Sequence, residues 1–299
     1  MSELELLDRS LASSALASDV FFSGEPCGDW RMNTSGSGHA AFHLVLRGSP
    51  WLHFPHNVEL RRQLRSGDFV FFPRDTPHVL TASADAPPDI ETVLGEVRPI
   101  GATDDQIALL CGKLVLEPYA QRFLLAPLPD IVVMPAGSEE APRIVPSIVS
   151  IMWDEVRGHE RPLSVTLNKL ADVLVVQVLR FAVRQGLVTS GVFAALADPQ
   201  LRRAVLDLVR APEQAWSVEL LAQKALMSRS AFASRFQSVV GRTPLDFLRD
   251  WRMHLAVGLL RSGRSVAEVA AATGYDTEAS FAKAFKRMVG IGPGAVRAR

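Results

Sequence analysis

The last hundred residues contain the same pattern twice, and this repeat limits the possible folds more than any other feature. The segment Ser217–Ala222 matches Ser265–Ala270 at an offset of 48 residues. Further on, Phe232, Phe236, Gly241 and Pro244 match Phe281, Phe285, Gly290 and Pro293 at an offset of 49. Each copy predicts a short helix capped by serine, a turn, and a second helix that ends at glycine and then proline. Such a pair of helices is typical of a helix-turn-helix.

The second helix of a helix-turn-helix enters the major groove of DNA. We predict these recognition helices at Arg229–Val239 and Thr277–Met288, joined by a long helix at Leu245–Leu260. Their phenylalanines recur at i, i+4 and therefore share a core-facing side. The side chains predicted to contact DNA lie on the remaining sides: Arg229, Ser230, Ala233, Ser234, Arg235, Glu278, Ala279, Ala282, Lys283, Lys286 and Arg287. Small residues permit close approach to bases, while lysine and arginine bind guanine or phosphate.

The charge is distributed unevenly along the chain. The whole sequence contains 32 basic and 32 acidic residues, but residues 200–299 contain 16 basic and only 8 acidic ones. The preceding residues carry the matching acidic excess. A basic segment attached to an acidic remainder indicates that the basic part contacts a polyanion.

The sequence before the repeat predicts a different architecture. In residues 1–130, short apolar runs alternate with Gly- and Pro-rich turns, which favours a β-sandwich or small barrel. These runs are Ala41–Leu46, Trp51–Phe54, Phe69–Phe72, Ile90–Glu96 and Leu114–Leu116. Residues 131–195 form a predicted connector with an amphipathic helix at Ser164–Gly186, and residues 196–299 form the DNA-binding domain. The predicted fold class is α+β, with an N-terminal β-barrel followed by an all-α double helix-turn-helix.

No apolar run reaches the roughly 18 residues that a membrane helix needs. The longest one, Val173–Leu187, is interrupted by glutamines and arginines. The N-terminus is polar and acidic, unlike a signal peptide. We therefore expect a cytoplasmic protein with no membrane association.

The repeat also carries a family resemblance. Both copies contain the pattern S-x-x-x-F-x-x-x-F-x-x-x-x-G-x-x-P, with Thr277 replacing the serine in the second, and a W-R-M-x-x-A run spans residues 251–256. Residues 200–297 closely resemble the AraC/XylS family of bacterial transcription regulators. The resemblance implies promoter DNA and RNA polymerase as partners, a small-molecule or oxidant effector, and a homodimer formed through the helix at 164–186.

The N-terminal part resembles the cupin sensor domain found in one branch of that family. Residues 67–78 match the second cupin motif, G-x5-P-x-G-x2-H, and end at His78, although Asp75 occupies the glycine position. The first motif is degenerate, because His43 matches its second histidine but Ala41 replaces the first and no glutamate follows. The resemblance implies that His43 and His78 lie on neighbouring strands inside a barrel.

Two hypotheses for the sensor follow from the residues, and both stay open. The chain has only two cysteines, Cys27 and Cys111. Together with His43 and His78 they would supply a Cys2His2 zinc site, with His39 as a weaker ligand. The two thiols would otherwise sense an oxidant, as some cupin-type relatives do. Two barrel histidines with satisfied polar atoms and no metal are the simpler alternative.

An enzyme is the competing function class, because cupins include metal-dependent enzymes. A catalytic cupin needs a full metal triad, and here the first histidine and the glutamate are absent. The sequence also has no G-x-S-x-G, phosphate-binding glycine loop or H-E-x-x-H motif. We therefore predict a regulator without catalytic activity. A cupin enzyme with an accessory DNA-binding module and a constitutive DNA binder whose barrel only dimerises remain as alternatives.

Overall fold

A computed structural model describes residues 3–14, 16–55, 61–85, 91–102, 106–116, 118–135, 137–157 and 164–297. The chain divides into two compact units. The sheet unit comprises Leu16–Val115 and Pro129–Gln185, and the helical unit comprises Met1–Ala15, Leu116–Leu128 and Gly186–Arg299.

The sheet unit contains ten strands and two helices in its described part. The strands are β1 (Ala17–Pro26), β2 (Arg31–Met32), β3 (Ala40–Arg47), β4 (Trp51–His53), β5 (Arg62–Gln63), β6 (Phe69–Phe72), β7 (Val79–Thr81), β8 (Val97–Arg98), β9 (Ala108–Val115) and β10 (Val132–Met134). The helices are α3 (Val145–Val156) and α4 (Ser164–Arg184). Apolar residues dominate β3, β6 and β9, and nearly all positions of these three strands are buried.

All strand pairs in the described part of the sheet unit are antiparallel, and they form two sheets. One sheet has the order β10-β6-β3-β9-β1-β8, and the other has the order β2-β7-β4-β5. A core that includes Trp30, Leu52, Val70 and Leu109 joins side chains from both sheets. This arrangement confirms the predicted N-terminal β domain. The predicted strand at Ile90–Glu96 is wrong in its described part, residues 91–96, where Val93 forms only an isolated bridge to Arg31.

Helix α4 covers the edge of β1 within the sheet unit. The side chains of Asp172 and Asn168 accept hydrogen bonds from the backbone N–H groups of Ser18 and Val20, at 2.6 and 2.8 Å. The apolar positions that predicted an amphipathic helix are mostly buried, notably Leu174 and Val178. The helix is confirmed, but most of its apolar face has an intramolecular partner.

The helical unit contains ten helices in its described part. They are α1 (Glu3–Ala12), α2 (Pro118–Leu124), α5 (Gly191–Ala197), α6 (Arg202–Arg210), α7 (Val218–Lys224), α8 (Arg229–Val240), α9 (Pro244–Arg261), α10 (Val266–Ala272), α11 (Glu278–Val289) and α12 (Pro293–Arg297). The predicted recognition helices correspond to α8 and α11, and the predicted joining helix corresponds to α9. Each boundary agrees within one residue, because serine, threonine and glycine caps mark the ends locally.

Helices α1 and α2 lie far from the C-terminal region in the sequence but pack in the helical unit. His254 of α9 donates a hydrogen bond from Nε2 to the Ser10 carbonyl at 2.9 Å, and Arg9 donates to the Val209 carbonyl at 3.1 Å. Phe123 of α2 stacks on Trp251, with ring centroids 5.5 Å apart. The three predicted domain ranges therefore divide the chain differently from these two units, because packing joins segments that are distant in sequence.

In the described part of the chain, no helix combines the length and hydropathy that crossing a membrane requires.

Candidate functional site

The first helix-turn-helix consists of α7 and α8. Ser217 and Ser228 cap these helices by accepting hydrogen bonds from the backbone N–H groups of Leu220 and Ala231. Helix α8 ends at Gly241, which adopts a left-handed conformation with φ 79°. These are the caps that the repeat predicted, so local sequence signals define both ends of the first recognition helix.

The second helix-turn-helix consists of α10 and α11 and repeats this construction. Ser265 and Glu268 form a capping box, Thr277 caps α11, and Gly290 ends α11 at φ 91°. The turns differ by one residue, since Tyr275-Asp276 in the second corresponds to Met227 in the first. The one-residue change of offset in the sequence repeat therefore lies in this turn.

The left-handed position of each turn is occupied differently in the two copies. Gly274 has φ 73°, and the equivalent Leu226 has φ 56° with a side chain that is 88% exposed. A Cβ at Gly274 would lie 2.5 Å from the Glu213 carbonyl oxygen, so only glycine fits without movement there. The second turn therefore needs glycine for space as well as conformation.

Equivalent positions on α8 and α11 define one outward face on each helix. The pairs are Ser230 and Ala279, Ala233 and Ala282, Ser234 and Lys283, and Gln237 and Lys286, and all eight residues are exposed or half-buried. Three pairs coincide with the predicted DNA-binding residues. Gln237 was missed, although the offset of 49 from Lys286 could have identified it. Phe232, Phe236, Phe281 and Phe285 are buried on the opposite side, which confirms the predicted core faces.

Both arginines of α8 are engaged in ion pairs within the helical unit. Arg229 Nε lies 2.7 Å from Glu219 Oε1 on α7. Arg235 Nη2 lies 2.8 Å from Asp198 Oδ2, beside the end of α5. The DNA contacts of these two side chains stay predictions, and both guanidinium groups are already paired with carboxylates in this structure. The outward face of α8 is therefore small, polar and uncharged.

The cations of α11 have a different environment. The side chains of Lys283, Lys286 and Arg287 are exposed, and none of the three charged groups forms a hydrogen bond or ion pair with a described residue. Glu278 lies in the first turn of α11, where the positive end of the helix dipole stabilises its carboxylate. The second recognition helix therefore presents positive charge that the first one lacks.

Inside the sheet unit, the structure brings His43 and His78 together. Their Nε2 atoms are 2.7 Å apart, and the Thr34 hydroxyl oxygen lies 3.2 Å from each. His78 Nδ1 donates to the Thr76 carbonyl at 2.7 Å, which leaves its Nε2 as an acceptor for His43 Nε2–H. Phe72 stacks on His78 at a centroid distance of 3.7 Å. Both histidines are buried in the sheet unit as predicted, but they are not on neighbouring strands. His43 lies on β3, whereas His78 directly precedes β7, which belongs to the other sheet.

These two histidines are neutral at ordinary pH. Burial, and secondarily the neighbouring His78, holds the pKa of His43 well below its usual value. Burial lowers the pKa of His78 to about 4, although the Thr76 carbonyl opposes this shift. A neutral pair that shares one hydrogen bond accounts for the short Nε2–Nε2 distance.

The histidine pair does not fit a metal site. Two nitrogen ligands of a tetrahedral zinc ion would be about 3.3 Å apart for zinc–nitrogen bonds of about 2.0–2.1 Å. The described residues contain no group of three or more His, Cys, Asp or Glu side chains that could hold a metal. The weaker candidate His39 is exposed, and its Nδ1 lies 2.9 Å from the Ser37 carbonyl oxygen. The geometry favours two histidines that are hydrogen-bonded to each other, but they are not fully satisfied, because His43 Nδ1 has no partner among the described residues.

The two cysteines lie apart, which rules out one site for all four predicted ligands in this structure. Cys111 is opposite His43 on β9, fully buried, with its Sγ atom 3.3 Å from Met32 Sδ. Phe22 of β1 is the register partner of Cys111, and Cys27 lies five residues further along the chain, just after β1 ends. Five residues of extended chain span about 16 Å, so the two cysteines are separated by roughly that distance. A disulfide needs Cα atoms within about 7 Å. The sheet register therefore contradicts the Cys2His2 zinc hypothesis, and it also places the two thiols too far apart to form a disulfide with each other.

The thiols also differ in chemical environment. Burial strongly raises the pKa of Cys111, so it stays a thiol. Cys27 is half-buried and donates a hydrogen bond to Gln106 Oε1 at 2.9 Å. Oxidation proceeds through the thiolate, so Cys111 is unreactive in this structure.

The fold and the paired recognition helices define a helix-turn-helix DNA-binding protein with a cupin-type sheet domain. A cupin family model matches residues 5–184, and a helix-turn-helix domain model matches residues 221–299. The chain belongs to the AraC family of transcription regulators. It is 34% identical to an AraC-like transcription regulator of Streptomyces lividans over 282 residues, covering 90% of each chain.

Two further similarities extend over different parts of the chain. An HTH-type transcriptional regulator of Haemophilus influenzae is 28% identical to this chain, and the match covers 98% of each of the two chains. The DNA-binding domain of AdpA, solved in complex with a target DNA, is 35% identical with a TM-score of 0.32. That match covers 34% of this chain and 91% of the other.

Proposed function

We propose that this regulator recognises promoter DNA in a sequence-specific manner, with α8 and α11 in successive major-groove segments, and that its sheet unit receives an effector signal. The single observation that carries the DNA proposal is the matching outward face of the two recognition helices. Two helices in one chain would contact segments about one helical turn apart. We expect activity in the cytoplasm, because promoter DNA lies there in bacteria.

Helix α11 supplies most of the electrostatic attraction in this proposal. Lys283 lies on the outward face together with Ala279 and Ala282, where small neighbours allow close approach to base edges. Arg287 lies about 40° further around the helix than Lys283, away from that face, where a phosphate contact is expected. Lys286 adds a third cation on the outward face.

Helix α8 contributes base recognition without a free cation. Ser230, Ser234 and Gln237 offer hydroxyl and amide groups, and Ala233 permits close packing. A glutamine amide matches the donor and acceptor atoms of adenine in the major groove. The first half-site is therefore recognised through hydrogen bonds and van der Waals contact, whereas the second also depends on charge.

The buried histidine pair supports the sheet unit as the receiver of a small polar effector. His43 Nδ1 is buried and has no hydrogen-bond partner among the described residues. An unsatisfied buried polar atom costs about 1–3 kcal/mol, which a ligand that donates a hydrogen bond would recover. An oxidant effector would instead act on Cys27, since Cys111 is buried and its thiolate is disfavoured.

A homodimer and a contact with RNA polymerase complete the proposed regulatory function. Most apolar residues of α4 are buried within the sheet unit, but Val165 is 73% exposed and Val173 is also accessible. These valines support a dimer contact at α4 that is smaller than the sequence pattern implied. We also propose that the protein has no catalytic activity, because the first cupin motif lacks its first histidine and its glutamate and so cannot supply a full metal triad.

Site selection from a random DNA pool tests the proposed base contacts. Lys283→Ala should change the preference at one base step by about 1–3 kcal/mol, while Arg287→Ala should weaken all sites about equally. Arg287→Ala should also reduce the slope of log K against log salt by about 0.9.

Arg143→Ala is the matched control, because Arg143 is an exposed arginine of the sheet unit that lies outside α4. It should alter neither the base preference nor the salt slope. Unchanged preferences and slopes in both α11 variants would refute the assignment of α11 to the DNA interface.

A further inference from the structure

Arg235 lies on a side of α8 that faces away from the proposed base contacts. Successive residues of an α-helix are rotated by about 100°, so Arg235 is about 140° from Ser230 around the helix axis. Its equivalent in the second copy is Ala284, which is half-buried and uncharged. The repeat therefore provides no counterpart of Arg235 on the DNA-facing side of α11.

The guanidinium of Arg235 is held by a nearly buried carboxylate. Its Nε and Nη2 atoms donate to Asp198 Oδ2 at 3.0 and 2.8 Å. The other oxygen, Oδ1, accepts hydrogen bonds from the backbone N–H groups of Gln200 and Leu201 at 2.9 and 3.1 Å. The Asp198 side chain is only 8% exposed. Both carboxylate oxygens are therefore used, one for α8 and one for the turn that leads into α6.

The charge state of this carboxylate agrees with the geometry. Burial by itself would raise its pKa, but the Arg235 guanidinium and the two N–H groups hold the pKa of Asp198 below its usual value. The ionised pair links the first recognition helix to the end of α5, against which α8 also packs.

We propose that Asp198 and Arg235 form a positioning pair that sets the orientation of α8, and through it the base preference in the first half-site, without either side chain contacting DNA. This inference rests on the proposed recognition of bases by α8. A charge-assisted, two-donor contact restricts orientation more than a single hydrogen bond does. Changing either partner should therefore alter the same DNA positions.

A double-mutant cycle in the full-length protein tests the pair. The variants are Arg235→Ala, Asp198→Asn and their combination, each assayed by site selection and by salt-dependent binding. Each single change should reduce base discrimination in the first half-site by about tenfold, and the double variant should be no worse. The second half-site and the salt slope should match those of the wild type, because no phosphate contact is lost.

Direct contact between Arg235 and a phosphate gives a different result. Arg235→Ala would then lower the salt slope by about 0.9, and Asp198→Asn would leave base discrimination unchanged. That result, or additive effects in the double variant, would overturn the positioning role. If Arg235→Ala fails to fold by circular dichroism, Arg235→Lys replaces it in the cycle, since lysine keeps the charge but not the two-donor geometry.

The wild-type selection separates failure of the pair from failure of the proposed function. If the wild type shows no preference in the first half-site, base recognition by α8 and the positioning role both fail. If the wild type shows a preference that both single variants retain, only the positioning role fails.

Discussion

Substitution of Gly274 by alanine should destabilise the helical unit more than the same change at another left-handed glycine. Gly274 has φ 73° and Gly290 has φ 91°, so an alanine at either position adopts an unfavourable backbone conformation. That conformation costs roughly 1–2 kcal/mol and is partly offset by the lower entropy of the unfolded chain. Gly290 has no neighbouring atom within 4 Å of the added Cβ. Gly290→Ala should therefore cost about 1 kcal/mol.

Crowding adds to this cost at Gly274. The new Cβ would lie 2.5 Å from the Glu213 carbonyl oxygen, 2.9 Å from Glu213 Cα and 2.7 Å from Arg252 Nη2. Arg252 cannot move freely, because it donates hydrogen bonds to the Pro212 and Gln214 carbonyls at 2.7 and 2.9 Å. Displacing this backbone should add about 2 kcal/mol, within the usual range for overpacking. Gly274→Ala should thus cost about 3 kcal/mol in total.

Thermal unfolding followed by the helical circular dichroism signal measures the difference. At roughly 2–4 °C per kcal/mol for a unit of this size, Tm should fall by about 6–12 °C for Gly274→Ala and about 2–4 °C for Gly290→Ala. Leu226 provides an internal comparison, because the first turn accommodates a Cβ at the equivalent position, where its side chain is exposed. Equal Tm changes for the two alanine variants would refute the argument that contact with Glu213 requires glycine.

Three further outcomes are expected from single substitutions. Phe285→Ala should cost about 3–5 kcal/mol through lost burial and a cavity, and DNA binding should fall only in proportion to the unfolded fraction; a native Tm would contradict the assignment of helix faces. Burial lowers the pKa of His254 to about 4, so the unfolded chain binds a proton at this residue before the folded protein does. The free energy of unfolding should therefore fall by up to about 3 kcal/mol as the pH drops from about 6.5 to 4, whereas His254→Gln should show a flatter acid profile in the helical circular dichroism signal. Asp75→Ala should destabilise the sheet unit about 1 kcal/mol more than Asp75→Gly, because φ at Asp75 is 55°; equal unfolding midpoints in urea would oppose this.

The parts of the fold that local signals define could be predicted from the sequence. Helices α8, α9 and α11 were predicted within one residue at each end because serine, threonine, glycine and proline mark those ends chemically. The second cupin motif also keeps its backbone conformation although Asp75 replaces the expected glycine. Asp75 takes the left-handed conformation of the missing glycine, and its Oδ2 accepts hydrogen bonds from the Gly36 and Gly38 N–H groups at 3.0 and 2.6 Å.

The parts that depend on distant residues could not be predicted. Cys27 and Cys111 were grouped by residue type, but strand register separates them, and a single sequence contains no register information. The ion pair between Asp198 and Arg235 joins residues 37 positions apart, so the charge run on α8 suggested DNA contact instead. Helices α1 and α2 were missed for the same reason, since their partners lie in α9.

The packing of α1 on α9 has a consequence for how the protein is made. Ser10 and His254 are 244 positions apart, and at about 5–20 residues per second a ribosome needs about 12–50 s to synthesise the chain between them. During that interval Leu6 and Leu7, which are almost fully buried in the finished protein, have no access to α9. Helix α1 is therefore synthesised well before its partner α9, and its apolar face, which includes Leu6 and Leu7, remains available to chaperones during that interval.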